Sequence, residues 1–515
     1  MEPFRNEPYS DFSTAGPRDA YLEALDTVTS KLGGHVPVVI DGKPVATDVR
    51  ITSIDPAHPD VVVGTTGSAS RAEAQLAIDA AKAAFTDWSR RPASERADVV
   101  HRIGDLIAER KLEMAAWMTL EAGKNWSEAE ADVAEAIDFC RYYAHQAVRL
   151  AEPIPVVGYP GESNESFLIP IGPGVVIPPW NFPLAILVGM TVAPVAAGNT
   201  VVLKPASNTP VLGAHFMDIV AEAGTPEGVI NFLPGPGSEV GDFLVDHPDT
   251  RFINFTGSKE VGLRIAQRAS AVHPGQPWLK RAFMEMGGKN ALIVDETADL
   301  ENAAGAIVRA AYGYQGQKCS ACSRVIAVDS IHDELLDLVV AKTAALEIGP
   351  GAENKSVGPV ISAAQHRTIL EEISRGRDEA NLVLGGEAID RDGGFYIEPS
   401  IFAGVKPEGR LAQHEIFGPV LSFVSVANFD DAVSVANGTE YGLTGGLCST
   451  DPARIERVKR DFHVGNLYIN RKITGALVGV QPFGGFNMSG SNSKAGGPDY
   501  LRLFTEMKSV TQAYR

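Results

Sequence analysis

Apolar residues spaced three and four apart run from residue 72 to 150, and the spacing predicts helices over Ala72 to Trp88, Ser94 to Ala122 and Trp126 to Leu150. These would cover one face of a sheet. From about residue 172 the period changes to short β-branched runs: Val175-Val176-Ile177, Thr200-Val201-Val202-Leu203, Val229-Ile230-Asn231-Phe232 and Arg251-Phe252-Ile253-Asn254-Phe255. Helical stretches separate them, most clearly Pro210 to Ala223, which stops at Gly224 where a helix C-cap is expected. Strand and helix in alternation predict a parallel sheet with right-handed crossovers, an architecture that binds nucleotides at the carboxyl ends of its strands. The longest apolar stretch, Phe182 to Ala197, contains prolines and a glycine and falls short of the roughly 20 residues that span a bilayer, so it reads as a buried helix. After Gly288 the alternation resumes, with strands over Ala291 to Val294 and Val325 to Val328 and a helix over Asp333 to Leu346, which predicts a second α/β unit. Residues 153–170 pattern as a hairpin interrupting the first unit, with the C-terminal tail from Tyr500 as a strand partner. Exposed strand edges of this kind are usually covered in an oligomer.

A chain of 515 residues exceeds what one core organises, so two or more units, discontinuous in sequence, are expected. Hydrophobic residues at 44% and charged residues at 21% exclude a disordered chain. A net charge of −19, spread along the sequence, keeps the surface soluble and repels nucleic acid and anionic membranes, so neither is an expected partner. An anionic substrate would need local donors inside a pocket. Cys140, Cys319, Cys322 and Cys448 are too few for a disulfide framework and suit a reducing compartment. The polar start Met1-Glu2-Pro3-Phe4-Arg5-Asn6-Glu7-Pro8 lacks the features of a signal or transit peptide, so the expected location is cytoplasmic.

Four places carry candidate chemistry. Gly316-Gln317-Lys318-Cys319-Ser320 follows a helical stretch, and its small residues would let a substrate approach the thiol; the same cysteine alone also fits a small buried core residue. Cys322 adds a Cys-x-x-Cys spacing, but no second Cys/His pair stands nearby, and no metal site is expected. Glu285, in Met284-Glu285-Met286-Gly287-Gly288-Lys289-Asn290, ends an apolar strand, where partial burial would raise its pKa toward that of a general base; a cap or an ion pair to Lys289 is the alternative. Phe255-Thr256-Gly257-Ser258-Lys259-Glu260-Val261-Gly262 reads as strand, turn and helix, a setting that holds phosphate, although it is not the Gly-x-Gly-x-x-Gly fingerprint. Pro178-Pro179-Trp180-Asn181-Phe182-Pro183 would fix Asn181 at the sheet edge, as an oxyanion donor or as a plain Asx-turn.

Together these pieces resemble the aldehyde dehydrogenase superfamily over nearly the whole chain. The matching stretches come in the family's order: Pro179 to Pro183, Lys204-Pro205, Phe255 to Ser258, Glu285 to Lys289, Gly316 to Cys319, Glu415-Ile416-Phe417-Gly418-Pro419 and Pro482-Phe483-Gly484-Gly485. The resemblance implies Cys319 as nucleophile, Glu285 as general base and Asn181 as oxyanion donor beside the Cys319 N–H. It implies Lys204 and Glu415 on the cofactor's ribose hydroxyls, Ser258 on its pyrophosphate and Phe417 on the nicotinamide ribose region, with Gly257 and Trp180 also among the cofactor-binding residues. The fold implied is a Rossmann-type α/β cofactor domain (1–150 and 171–286), a second α/β catalytic domain (287–497) and an oligomerisation flap (151–170 and 498–515), assembled as a homodimer or a higher oligomer of dimers.

Within that superfamily the chain looks most like the branch that oxidises glutamate γ-semialdehyde to glutamate. The stretches that carry this are Glu2 to Pro8, Ala134-Glu135-Ala136-Ile137-Asp138-Phe139 and Asn470-Arg471-Lys472-Ile473-Thr474-Gly475-Ala476. The resemblance implies Ser320, Gly475 and Ala476 on the substrate carboxylate, Phe182 and Phe483 on its aliphatic middle, and Glu135 and Lys318 near the pocket. Gly475 also fits a simple turn glycine. Ser207 departs from the pattern of many NAD-preferring relatives, which carry glutamate there; serine would not repel a 2′-phosphate, so NAD is expected with NADP still open. The other readings are a dehydrogenase of another carboxylated aldehyde, such as succinate semialdehyde, and a structural homologue without turnover.

Overall fold

The helices begin where side chains satisfy their orphan N–H groups. In this computed structural model, which describes residues 3–514, the helix Arg71–Trp88 opens on a capping box in which Ser70 accepts from Ala72 N and Glu73 accepts from Ser70 N. Glu2 of the N-terminal stretch lies outside the described residues. Asn125 caps Trp126–Leu150 through Glu128 N at 3.0 Å. The single helix expected from Ser94 to Ala122 is two, Ala93–Glu109 and Lys111–Ala122, with a non-helical Arg110 (φ −110, ψ 20) between them. The apolar spacing continues across that bend and no glycine or proline marks it, which is why the pattern reads as unbroken. The helix expected over Asp333 to Leu346 begins a turn earlier and runs Asp329–Ala344. The apolar stretch after Phe182 forms the buried helix Ala185–Ala196.

Two seven-stranded sheets organise the chain. The first runs Arg281–Glu285, Phe252–Thr256, Gly174–Ile177, Val201–Leu203, Ile230–Phe232 in parallel, then Val38–Ile40 and Lys43–Val45 as an antiparallel edge. Its order reverses between Gly174–Ile177 and Phe252–Thr256, so the chain leaves these adjacent strands in opposite directions and opens a crevice at their carboxyl ends. The second sheet runs Asn381–Leu384, Ser400–Ala403, Val420–Val426, Cys322–Val328, Asn290–Val294, Thr444–Cys448, Asn466–Ile469, all parallel except the first. The early edge strands, the helix Ala15–Thr29 and a three-stranded sheet built from residues 34–68 were not evident in the spacing.

The hairpin expected over 153–170 is instead one strand, Glu162–Pro170, laddered antiparallel over its whole length with Thr505–Ala513. The segment before it touches that strand only at an Ile154–Ser166 bridge. Pro153 and Pro155 bring no N–H to a ladder, and the C-terminal tail supplies the partner instead.

Candidate active site

The carboxyl ends of the first sheet meet the amino ends of the second. Glu285 is the last residue of its strand, and after Gly287-Gly288 the chain enters the second sheet at Asn290. Cys319 lies just before Cys322–Val328, the strand next to Asn290–Val294. Asn290 Nδ2 donates to the Cys319 carbonyl at 2.7 Å and to Ala321 O at 2.8 Å, and its oxygen accepts from Thr444 N at 3.0 Å. The two preceding glycines permit this packing. A Cβ on Gly288 would stand 2.9 Å from Cys319 O, and one on Gly287 would stand 1.8 Å from Glu415 Oε2. Just before Cys319, Tyr314 and Gln315 hold φ 51 and φ 55, left-handed values that non-glycine residues rarely adopt. Tyr314 OH donates to Ala122 O at 3.0 Å and fixes that strained turn.

A cleft of about 860 Å³ opens on Cys319 and Glu285, with Ser320, Phe182 and Phe483 on its wall. Glu135, Gly475 and Ala476 line it too, and the same three residues also line a wider outer vestibule into which Lys318 reaches. Gly475 has φ 76, which its turn requires, and among the described residues neither the Gly475 N–H nor the Ala476 N–H has a protein acceptor. Lys318 Nζ donates to both oxygens of Glu128, at 2.8 and 2.7 Å, so its charge is already paired. Lys124 and Asp132 form a fully buried ion pair at 2.6 Å behind Phe182, with Lys124 Nζ 4.2 Å from that ring's centroid.

Burial sets the protonation of the reactive groups. It pushes the Cys319 thiol up to about 12, with the Glu415 and Glu285 carboxylates adding to the shift. It raises Glu285 to about 7 against the hydrogen bonds that favour its charge, from Ser493 Oγ at 2.6 Å, Ser493 N at 2.9 Å and Gly485 N at 3.0 Å. Burial, reinforced by Asp132, takes Glu135 to about 8. The Asn181 amide is buried and donates to Gln317 O at 3.0 Å, two residues from Cys319, leaving its second N–H available.

The cofactor candidates fall around the crevice of the first sheet. Asn181 follows Gly174–Ile177, and Gly257 and Ser258 follow Phe252–Thr256, one on each side of the reversal point. Ser258 caps the helix Lys259–Ser270 through Val261 N at 3.4 Å, and Gly257 N donates to Glu285 O at 3.1 Å. Lys204 is buried, lowered to about 8 by that burial, and among the described residues its Nζ donates only to Pro205 O, at 3.3 Å. Glu415, raised to about 7 by burial, accepts from Gly288 N at 2.9 Å. Phe417 has φ 59 and packs edge-on against Trp180 at 5.5 Å. Ser207 is exposed. A helix N-terminus at the reversal point and ionisable groups with unfilled hydrogen-bonding capacity fit a dinucleotide.

Asn290 and Ser493 carry no role in the sequence reading. Asn290 stood in a quoted motif, and its place directly after Gly-Gly-Lys at a strand start was the available signal; Ser493 offers none. Cys322 is buried with its Sγ donating to Arg324 O, and among the described residues no cluster of three His, Cys, Asp or Glu side chains could hold a metal ion. Among them, too, no helix is long and apolar enough to cross a membrane.

The family model described as "Aldehyde dehydrogenase family" matches residues 45–510. The 1-pyrroline-5-carboxylate dehydrogenase of Geobacillus kaustophilus is 52% identical over 515 residues, covering all of both chains. The corresponding protein of Anoxybacillus flavithermus is 50% identical, again over all of both. Among solved structures, 1-pyrroline-5-carboxylate dehydrogenase from Thermus with bound NAD superposes with a TM-score of 0.99 at 53% identity over all of both chains. Proline utilization A of Bdellovibrio bacteriovorus superposes at 0.97 with 44% identity, covering 99% of this chain and 53% of that one.

Proposed function

The chain belongs to the aldehyde dehydrogenase family, and from that premise we propose that it oxidises L-glutamate γ-semialdehyde, the open form of 1-pyrroline-5-carboxylate, to L-glutamate with NAD as oxidant. One observation carries the substrate: the cleft that holds Cys319 and Glu285 is also lined by Ser320, Gly475 and Ala476, and among the described residues the N–H groups of the last two have no protein acceptor. That is a thiol, a base and a carboxylate cradle in one space.

Cys319 Sγ, once deprotonated, attacks the aldehyde carbon. The second N–H of Asn181 and the Cys319 N–H stabilise the resulting oxyanion. NAD, held by Lys204, Gly257, Ser258, Glu415, Phe417 and Trp180, supplies the hydride acceptor when bound. Loss of hydride from the tetrahedral carbon leaves an acyl group on Cys319 as a thioester. Glu285 then takes a proton from water, the hydroxide adds to the thioester, and the C–S bond breaks to give carboxylate and free thiol. Glu135 and Lys318 stand toward the substrate's amino acid end, while Phe182 and Phe483 cover its aliphatic part.

Residues 1–150 and 171–286 form the cofactor domain, 287–497 the catalytic domain, and 151–170 with 498–515 the flap. The flap joins two copies in a homodimer or a larger assembly of dimers, a reading supported by exposed Val157, Tyr159 and Met507 on and beside its strands. The few cysteines, all free, favour the cytoplasm.

Steady-state kinetics with pyrroline-5-carboxylate against NAD and NADP test substrate and cofactor together. Turnover with NAD, and kcat/KM above that for succinate semialdehyde, is the expected result; preference for succinate semialdehyde would overturn the substrate assignment.

A further inference from the structure

Two of the three stretches whose sequence looks most substrate-specific meet at one side chain, which also reaches the loop just past the third. Asn6 Nδ2 donates to Asp138 Oδ2 at 2.8 Å and to the Val478 carbonyl at 3.0 Å. The Glu7 N–H donates to the other Asp138 oxygen at 2.7 Å. Asp138 stands one turn beyond Glu135 on the helix Trp126–Leu150, and Val478 stands two residues beyond Ala476. Asn6 therefore links the helix that bears Glu135 to the loop that bears Gly475 and Ala476.

The N-terminal segment is well secured on the helix side. Arg141 Nη1 donates to Glu7 Oε2 at 2.8 Å, Lys111 Nζ to Pro8 O at 2.6 Å and Ser10 N to Glu130 Oε2 at 2.9 Å. Phe4 packs edge-on against Tyr142 with centroids 5.1 Å apart, and its ring would meet a Cβ on Gly479 at 3.2 Å. Tyr9 lines the outer vestibule. The loop is less securely held at its tip. Arg471 Nη2 reaches Thr474 O and Gly475 O only at 3.4 Å, and on the far side Leu477 N donates to Gln481 Oε1 and Gly479 N to Gly496 O. Between them, the Asn6 bond to buried Val478 is the tie nearest the two free N–H groups that reaches outside the loop to a different part of the chain.

We propose that the segment from Phe4 to Ser10 is a positioning element for substrate selection, in which Asn6, by holding Val478 against Asp138, sets the distance between the Gly475–Ala476 N–H groups and Ser320. The proposal rests on the reading that this loop receives the substrate carboxylate. A loop held at one height accepts a carboxylate at one distance from the thiol, and so discriminates by chain length as well as by charge. Asn6 touches no substrate. It acts through the loop.

The test uses the full chain, Asn6→Ala, and the exchanged pair Asn6→Asp/Asp138→Asn. In the exchanged pair the amide now on the helix can still bind the N-terminal segment, but the carboxylate that replaces the Asn6 amide has no N–H for Val478 O. Both variants are expected to raise KM for pyrroline-5-carboxylate about tenfold, with kcat, KM for NAD, and kcat/KM for an uncharged aldehyde such as pentanal all within about twofold of the parent, the size of effect one hydrogen bond supports. Amide exchange across residues 473–479 should rise in both variants, and that readout needs no substrate. Recovery of the parent KM in the exchanged pair, unchanged exchange in Asn6→Ala, or an equal loss on both aldehydes would each overturn the proposal. Failure of the underlying substrate reading would instead show in the parent protein, as absent turnover of pyrroline-5-carboxylate.

Discussion

Asn290 holds the carbonyl of Cys319 at 2.7 Å, so the backbone of the proposed nucleophile is anchored by a side chain that does not itself line the cleft. The same amide reaches Ala321 O and Thr444 N, which joins the reactive segment to two strands of the second sheet. Cys319 is thereby presented from a rigid edge, and the left-handed turn at Tyr314 and Gln315 is held in place by its surroundings.

Replacing Asn290 by alanine strands two carbonyls and one N–H. Each buried polar group left without a partner costs about 1–3 kcal/mol. The expected outcome is a clearly lowered melting temperature together with a kcat reduced about tenfold or more, since the thiol loses its fixed position. Thermal unfolding and steady-state kinetics on Asn290→Ala check this, and parent-like values in both would show that the clamp is not needed.

Glu285 predicts a pH dependence whose sign follows from its role. A general base works only when ionised, and burial holds this carboxyl near about 7. Deacylation should therefore rise with pH through about 7 and fall close to tenfold per unit well below it. Glu285→Gln should flatten that limb and lower steady-state kcat by about 100-fold or more, while a first-turnover burst of reduced cofactor persists because acylation of Cys319 does not consume the base. Rapid-quench or stopped-flow absorbance resolves the two phases. A burst lost along with turnover would place Glu285 in the first half-reaction instead.

Much of this site was legible in the sequence because its parts sit where secondary structure changes. Glu285 ends a strand, Ser258 caps a helix, and Asn181 follows a strand between prolines, positions that apolar runs and Gly/Pro punctuation reveal. The buried helix after Phe182 and the helix end at Gly224 were visible for the same reason. What escaped was decided between distant segments. The Arg110 bend keeps the local apolar spacing, the stretch before Glu162 that patterns as a second hairpin strand stays out of the ladder, and Ser493 meets Glu285 only through a loop packed from the other sheet. None of these leaves a local periodicity to read.

Lys124 and Asp132 predict a large stability loss from a site that contacts no reacting atom. Both side chains are fully buried, and burial pushes Lys124 down and Asp132 up while their mutual attraction opposes each shift. Asp132 Oδ1 also accepts from Ala185 N at 2.6 Å, at the start of the helix that follows Phe182. Lys124→Met leaves that carboxylate uncompensated, and removal of one partner of a buried pair costs about 3–5 kcal/mol. The variant should unfold at markedly lower denaturant concentration, and the change should spread to KM through Phe182, which loses the cation beside its ring. A midpoint within error of the parent would mean that Asp132 simply takes up a proton at no cost.

Ser207 predicts how the cofactor preference can be sharpened. It is exposed three residues beyond Lys204, past the carboxyl end of Val201–Leu203, where the ribose end of a dinucleotide bound across the first sheet would pass. A hydroxyl there neither repels a 2′-phosphate nor pairs with it, so Ser207 itself selects against neither NAD nor NADP. Ser207→Glu adds a carboxylate near that phosphate. Like charges at this range in a partly hydrated groove repel by about 1–3 kcal/mol, less at high salt, so kcat/KM for NADP should fall about ten- to a hundredfold. The value for NAD, whose ribose hydroxyls can donate to the new carboxylate, should hold or improve slightly. Ser207→Gln, of equal size and uncharged, separates charge from bulk: if it lowers NADP use as much as Ser207→Glu does, the discrimination is steric, and the electrostatic account of this position fails.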